Sequence, residues 1–600
     1  MVSVDAESQK LNPVTRQHVI KALLLRLSSM LNLTEQHFLI ALAMVVGVGG
    51  GASSILFHEL LQLTQEVFFS QAQGWIGSVF LLPLLPALGG LFAGLIAVYY
   101  AGEARGAGVS EVIRAIVTRR GIIRPRVMWA KGLASGVTLG MGGSGGSEGP
   151  IVQIGAALGS GVGQIFKLSE ANLKTLIACG ASAGIAAIFN APIAGVLFAL
   201  EVILVDFTVS AFAPVVISAV LSAVVVHEYW GDLAVFTVPD YHFVDASELG
   251  WYLVLAALAG GGGGAFIRIL YGTDHFFEHR LTHLPIWAKP ALGGALVGCI
   301  GLVFPEVMGV GYPTIGKALH GDLLFQTAAV FLLLKVVTTS LTLGSGGSGG
   351  FFAPSLFIGA ALGEAFGLFA QSYLPGVVSP PGAFALVGMG AFVAGTTHAP
   401  LTATLIIFEM TGSYHIILPL MFTTIVAVVV ARSIESESIY SLKLAREGVR
   451  LHHGRDLSVL EQIPVSKIMR TEYDFIREHT PLGEIVSLIQ HGSLHDFPVL
   501  NRDGLFLGMI WFRDIREVML ENDMYAFLIA EDVLGDAPPQ LLPRSSLAEA
   551  LVQFTRHDTD ALPVFRSPSD NHLVGVMTRA DLMRCYEREL LLRERETVSS

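Results

Sequence analysis

From Lys131 to Gly159 the chain reads KGLASGVTLGMGGSGGSEGPIVQIGAALG, and from Lys335 to Gly363 it reads KVVTTSLTLGSGGSGGFFAPSLFIGAALG. The two stretches match without a gap at one offset of 204 residues: Lys131 with Lys335, GGSGG with GGSGG, Pro150 with Pro354, IGAALG with IGAALG. The unit is duplicated. In each copy a glycine run feeds a proline and then small apolar residues. That is the pattern of a tight loop entering a helix with proline in its first turn, where the missing N–H costs nothing. Each such helix start carries unpaired amides and the positive end of a dipole. Interrupted apolar segments at corresponding places in two halves are the usual sequence mark of a mid-membrane site in a transporter. An anion is what such helix ends hold. A role in packing alone, with glycines only allowing close approach, leaves the lone Glu148 unexplained.

The wider composition agrees. Of 600 residues, 52% are apolar and only 14% charged, which places the chain in the membrane class. The intervals between Lys174 and Glu201, Lys335 and Glu364, and Glu409 and Arg432, and the span 365–408, contain no Asp, Glu, Lys or Arg. Each is long enough to cross a bilayer or to enter and return. Their many Gly and Pro residues predict short, tilted or re-entrant helices, which only a large protein bundle can cover. The net charge of −12 gathers in the polar C-terminal part, and no basic run points to nucleic acid. Cys179, Cys299 and Cys585 lack metal-ligand spacing, so neither a disulfide nor a metal is expected. The N-terminus shows no cleavable signal pattern. Basic residues from Lys10 to Arg26, from Arg105 to Arg126, and at Arg432, Lys443 and Arg446 place both termini in the cytoplasm, with the protein in the plasma (inner) membrane.

Residues 1–34 read as a cytoplasmic amphipathic helix. A membrane domain follows over 35–445, in two repeats at about 35–230 and 250–445. Helices are expected near 36–70, 76–100, 212–227, 250–283 and 287–304, with a closing pair between 383 and 432. GASAGIAAIFNAPIAGVLFALE, ending at Glu201, has its counterpart in GMGAFVAGTTHAPLTATLIIFE, ending at Glu409, which carries the duplication past the first unit. His398 in the second is read as a satisfied histidine at a helix interface. Lys131 and Lys335 are read as structural or as setting the background potential, since buried cations near a pore need partners. Beyond a linker at 446–463 come two related soluble units, 464–525 and 526–590, each helix, strand, turn, strand, helix, and a tail at 591–600.

With these residues in hand, the chain resembles a CLC-family chloride channel or transporter with a C-terminal pair of CBS domains. GSEGP (Gly146–Pro150), GFFAP (Gly350–Pro354), NAPIAGVLFALE and Tyr440 in SIYSL carry the likeness, which covers nearly the whole chain. The resemblance implies an all-α membrane bundle of inverted repeats, about 17–18 helices per subunit, with a cytoplasmic α/β CBS pair, assembled as a homodimer. It also implies that Glu148 gates the pathway. Ala107, Gly146, Ser147, Glu148, Gly149, Phe351, Phe352, Ala353 and Tyr440 would surround the anion, with the amides of Phe351 and Phe352 opposite the gate. Backbone partial charge suits conduction because it holds a dehydrated anion without trapping it.

Three departures shape the functional expectation. The family's G-S-G-I-P segment is GAGVS here, so Ala107 stands where a serine hydroxyl would meet the ion, and Ser110 replaces its proline. Ser147 replaces the usual basic residue beside the gate. Val202 occupies the inner proton-relay position of the exchangers, and Glu201 cannot substitute because adjacent helical side chains point about 100° apart. The expectation is therefore a passive chloride channel, voltage-gated as in its family and gated by Glu148, with a proton-coupled or uncoupled exchanger as the alternative. A magnesium-type cation transporter would want more carboxylates along the membrane path, and no nucleophile and base pair suggests an enzyme. In the CBS pair, Thr578, Arg579, Asp581 and Asp514 are the candidates for an adenine nucleotide (ATP, ADP or AMP), with a nucleotide-free dimerisation module as the alternative.

Overall fold

The structure, a computed structural model, describes residues 35–70, 83–231, 235–239, 241, 248–373, 378–447, 460, 463–491, 496–511, 515, 528–535, 540–557, 559–567, 572–586 and 588–589. The expected N-terminal helix at 1–34, the tail at 591–600 and Asp514 lie outside them. The chain divides into two units, residues 1–451 and 452–600.

In the first unit, one half runs α1 (Glu35–Gln65), α2 (Leu84–Tyr99), α3 (Gly108–Thr118), α4 (Arg126–Gly140), α5 (Glu148–Ile165), α6 (Glu170–Phe189), α7 (Pro192–Phe198) and α8 (Val209–Trp230). The second half repeats the order as α9 (Leu249–His279), α10 (Lys289–Gly301), α11 (Tyr312–His320), α12 (Phe325–Gly344), α13 (Phe352–Tyr373), α14 (Pro381–Thr397), α15 (Pro400–Thr411) and α16 (Ile417–Ile434), before a short α17 (Leu442–Arg446). Each helix of the first half has its counterpart eight places later, as the duplicated sequence requires. Among the described residues seven helices are long and apolar enough to cross a membrane. Others, such as the 7-residue α7, are far too short. Half-length helices of this kind survive only where protein covers their ends.

Glycine makes that cover possible. Gly155 on α5 and Gly180 on α6 face each other so closely that a Cβ on Gly180 would lie 1.9 Å from the Gly155 carbonyl oxygen. The second repeat packs α13 on α14 in the same way through Gly359 and Gly388. Helices α2 and α10 join the halves reciprocally: Gly90 abuts the carbonyl of Pro290, and Gly294 abuts that of Pro86. In an apolar medium, where burial of apolar surface drives little, this close backbone approach supplies the association energy.

The helix ends obey local chemistry. Ser169 caps α6 by accepting the Asn172 N–H at 3.4 Å. Asn190 closes α6 in the left-handed region (φ 50°) and His398 closes α14 likewise (φ 57°). The expectation of a satisfied interface histidine at His398 is not met: its Nε2 has no hydrogen-bond partner among the described residues, and its place is set by this backbone stop.

In the second unit, β3 (Ile476–Arg477) runs parallel to β4 (Phe497–Leu500), which pairs antiparallel with β5 (Phe506–Ile510), and α18 (Leu482–His491) packs on them. The following module pairs β6 (Ala561–Phe565) with β7 (Leu573–Thr578) beneath α19 (Leu547–His557). The packing departs from sequence order. Ile463 and Val465 are buried in the second module's core, while Leu528 and Ala530 belong to the first. A cut between 525 and 526 therefore divides the sequence but not the cores.

Replacing Gly180 by Val forces α5 and α6 apart. We expect a loss of about 1–3 kcal/mol, read as a fall in melting temperature of the detergent-purified protein. Gly161→Ala, where a Cβ meets nothing within 4 Å, should leave it unchanged.

Candidate functional site

The two GGSGG loops meet in a reciprocal backbone pair. The Gly146 N–H donates to the Gly350 carbonyl at 2.9 Å, and the Gly350 N–H donates back to Gly146 at 2.8 Å. These residues are 204 apart, so the pair marks the approximate two-fold axis between the repeats. Around it the starts of α3, α5 and α13 converge. A Cβ on Gly149 would lie 2.9 Å from the Gly350 Cα, and one on Gly108 would lie 2.1 Å from the Gly149 carbonyl oxygen. A two-residue strand, β1 (Gly106–Ala107), pairs in parallel with β2 (Ser348–Gly349) and ties α3 to the same junction.

The buried lysines are structural. Lys131 Nζ donates to the carbonyls of Ala104 (3.2 Å) and Gly106 (2.5 Å), and Lys335 Nζ to those of Val307 (3.1 Å) and Gly309 (2.9 Å). Each satisfies the inward carbonyls of the loop that leads into α3 or α11. That answers the cost of a buried cation by pairing it with backbone dipoles.

Glu148 lies at the centre, 1% exposed. Its Oε2 accepts the Ala353 N–H at 3.3 Å, in the first turn of α13. Its Oε1 accepts the Tyr312 hydroxyl at 3.1 Å, at the first residue of α11. A carboxylate of one repeat thus occupies the helix start of the other. Only glycine leaves room for this, since a Cβ on Gly146 would be 2.0 Å from Oε2. A cavity of about 760 Å³, lined by His58, Ser147, Asn190, Tyr312 and Lys317 among others, reaches one side of this point. A smaller one of about 40 Å³, lined by Arg105, Ala107, Ser110, Phe351 and Lys443 among others, lies by the starts of α3 and α13. Glu148 borders neither.

Most of the residues expected at the anion are brought together here. Ala107 caps α3 without a side-chain bond, and Ser147 caps α5 likewise. Tyr440 is buried with its ring 6.3 Å from those of Phe351 and Phe198, and Phe352 packs on Phe189 at 5.4 Å. The amide that reaches Glu148 is that of Ala353, one residue beyond the Phe351 and Phe352 pair expected opposite it. Tyr312 was missed. Its signal is GVGYP (Gly309–Pro313), which parallels GAGVS at an offset of 203, one short of the main repeat and so outside an ungapped match.

Glu201 and Glu409 serve elsewhere. Glu201 accepts the N–H of Leu401 (3.3 Å) and the N–H and hydroxyl of Thr402 (2.8 and 2.7 Å) at the start of α15. Glu409 accepts the N–H of Ile193 (3.0 Å) and Ala194 (2.6 Å) at the start of α7. Each repeat caps the other. Val202 is packed in the apolar core.

In the second unit, Asp581 is already engaged. Its Oδ2 accepts Arg470 Nε and the Thr578 hydroxyl, both at 2.6 Å, and its Oδ1 accepts Arg470 Nη2 and Arg584 Nη2. Against the upward push of its own desolvation, these bonds hold its carboxyl below the usual aspartate range. The Arg579 N–H donates to the Asp560 carbonyl at 2.9 Å. A ribose hydroxyl at Asp581 would have to displace one of these donors.

Converging helix starts around one buried carboxylate, inside a duplicated membrane bundle, define an anion-transport protein of inverted-repeat type. The chain belongs to the voltage gated chloride channel family, whose profile matches residues 89–432, and it carries CBS domains at 465–521 and 530–588. It is 37% identical to a putative chloride channel protein, ClcB-like, of Ralstonia nicotianae, over 68% of this chain and 97% of that one. It is 36% identical to the H(+)/Cl(−) exchange transporter ClcA of Vibrio cholerae, over 68% of this chain and 88% of that one. A solved slow cyanobacterial Cl−/H+ antiporter superposes with a TM-score of 0.63 at 28% identity, covering 69% of this chain and 98% of that one. The protein is a multi-pass membrane protein of this chloride-transporting family.

The reciprocal caps predict a stability effect without a transport signature. Glu201→Ala should cost about 1–2 kcal/mol in thermal melting, while the ratio of protons to chloride moved in liposomes stays at the parent value.

Proposed function

We propose that the protein exchanges chloride for protons through a pathway gated by Glu148, with looser coupling than a relay-equipped exchanger. The observation that carries this reading is the Glu148 carboxylate lodged on the Ala353 amide, where an anion would otherwise sit. One group then competes with chloride for the same helix start while ionised and vacates it when protonated, so anion and proton share one binding event. Supporting it, the ClcA relative at 36% identity and the antiporter at 28% are named as exchangers. Val202 bears on the stoichiometry. A proton arriving from the cytoplasm needs a titratable stepping stone, and valine in an apolar cluster provides none. Water or a slower route must then supply the proton.

The same valine favours the second reading, a passive chloride channel with the same gate. In either case we infer cytoplasmic termini, as the basic residues imply, and a homodimer with one pathway per subunit, as the family resemblance implies. The larger cavity then faces outward.

Reversal potentials of the reconstituted protein decide between the two. Under a proton gradient at symmetric chloride, the exchanger reading expects a shift toward the proton equilibrium potential, and a passive channel gives none. Glu148→Ala should abolish the shift while chloride flux continues. Val202→Glu should enlarge it.

A further inference from the structure

We propose that Tyr312 is a positioning residue for the gate: its hydroxyl latches the Glu148 carboxylate in the anion site and thereby weakens chloride's hold on that site. The proposal rests on the reading of Glu148 as the gate and goes beyond it.

The argument begins in the loop before α11. Lys335 fixes this loop through the carbonyls of Val307 and Gly309. Gly311 then turns in the left-handed region (φ 90°), against the ring of Phe357. A side chain there would be strained and would strike that ring at 2.6 Å. The turn delivers Tyr312 as the first residue of α11, its own ring held edge-on by Phe236 at 5.6 Å. The phenol is therefore aimed by three fixed contacts before it meets Glu148 at 3.1 Å.

A hydroxyl bonded to a carboxylate stabilises the ionised form more than the protonated one, because a charge-assisted bond is the stronger. Tyr312 favours the charged carboxylate, and the charged carboxylate is the competitor of chloride. The other groups that face Glu148 are the Ala353 amide, the cation of Lys335 from α12 and the phenol of Tyr440. Lys335 is committed to backbone carbonyls and Ala353 is main chain. Tyr312 is thus the side-chain hydroxyl bonded directly to the gate among the described residues. It also borders the larger cavity, which the carboxylate itself does not line.

The test uses the full-length protein, and equilibrium chloride binding in detergent keeps it independent of proton coupling. Tyr312→Phe keeps the ring against Phe236 and removes only the hydroxyl. The expected result is about three- to tenfold tighter chloride binding near neutral pH. Chloride uptake into liposomes should have a KM lowered in the same proportion, and its pH of half-maximal rate should move up by about half to one unit. In a Glu148→Gln background the same substitution should change neither, because the group it acts through no longer ionises. Phe236→Leu keeps the hydroxyl but loosens one of the three contacts that aim it, so it should lower melting temperature and tighten chloride binding by less than Tyr312→Phe does. Unchanged binding in Tyr312→Phe overturns the latch. So does an equal change in the Glu148→Gln background, which would make Tyr312 a direct ligand of the anion. Should Tyr312→Phe fail to fold, Tyr312→Met, which also lacks the hydroxyl, carries the binding measurement with the same two outcomes.

Discussion

Everything in the membrane unit depends on two glycines of opposite repeats exchanging hydrogen bonds. The Gly146 and Gly350 pair is short in both directions, and it can be so only because neither residue carries a side chain. That single constraint places the starts of α5 and α13 against each other. Unpaired amides at a helix start are costly to bury, so two such starts enclosed together must be given something negative. In this structure it is the carboxylate of Glu148 on the Ala353 amide. Affinity for an anion follows from the backbone's own unmet donors, with no arginine required.

The surrounding packing protects that arrangement from its alternatives. Close glycine contacts between α5 and α6, and between α13 and α14, leave little freedom for the helices to slide. Lys131 and Lys335 point into loop carbonyls instead of the pathway. A free buried ammonium beside the junction would hold chloride too tightly to release it. Spending each cation on two carbonyls keeps its field while removing it as a ligand.

Much of this was legible in the sequence because duplication makes a pattern visible that one copy would hide. The ungapped match fixed which segments correspond and singled out Glu148, whereas the places of Ala107, Ser147 and Val202 came from the family resemblance. What escaped did so for physical reasons. Tyr312 lies where the repeat slips by one residue, since the loop before α11 is one residue shorter relative to its helix than the loop before α3, and only the fold shows that the two loops are equivalent. Glu201 could be set aside as a relay, but its partner could not be named, because capping of α15 is a contact over 200 residues of sequence. His398 reads in sequence as a satisfied interface histidine, whereas its left-handed backbone is what the position uses. In the CBS pair, Asp581 was found by motif, yet the arginine that engages it lies more than a hundred residues earlier, in the segment whose Ile463 and Val465 pack in the second module's core.

The repeats share a backbone but not a chemistry, and function resides in that difference. At the offset of 204, Glu148 corresponds to Phe352, and Ser147 to Phe351. One half therefore places a titratable group at its helix start, and the other places two aromatic rings there. With carboxylates on both sides, like charges would meet at the junction and one would have to stay protonated. With rings on both sides, nothing would close the path or carry a proton. The difference recurs one layer out, where the start of α11 offers the Tyr312 hydroxyl and the equivalent residue of α3, at an offset of 203, is Val109. A symmetric scaffold thus holds an asymmetric site, with the carboxylate, the Tyr312 hydroxyl bonded to it and the larger cavity on one face of the junction and the two rings with the smaller cavity on the other.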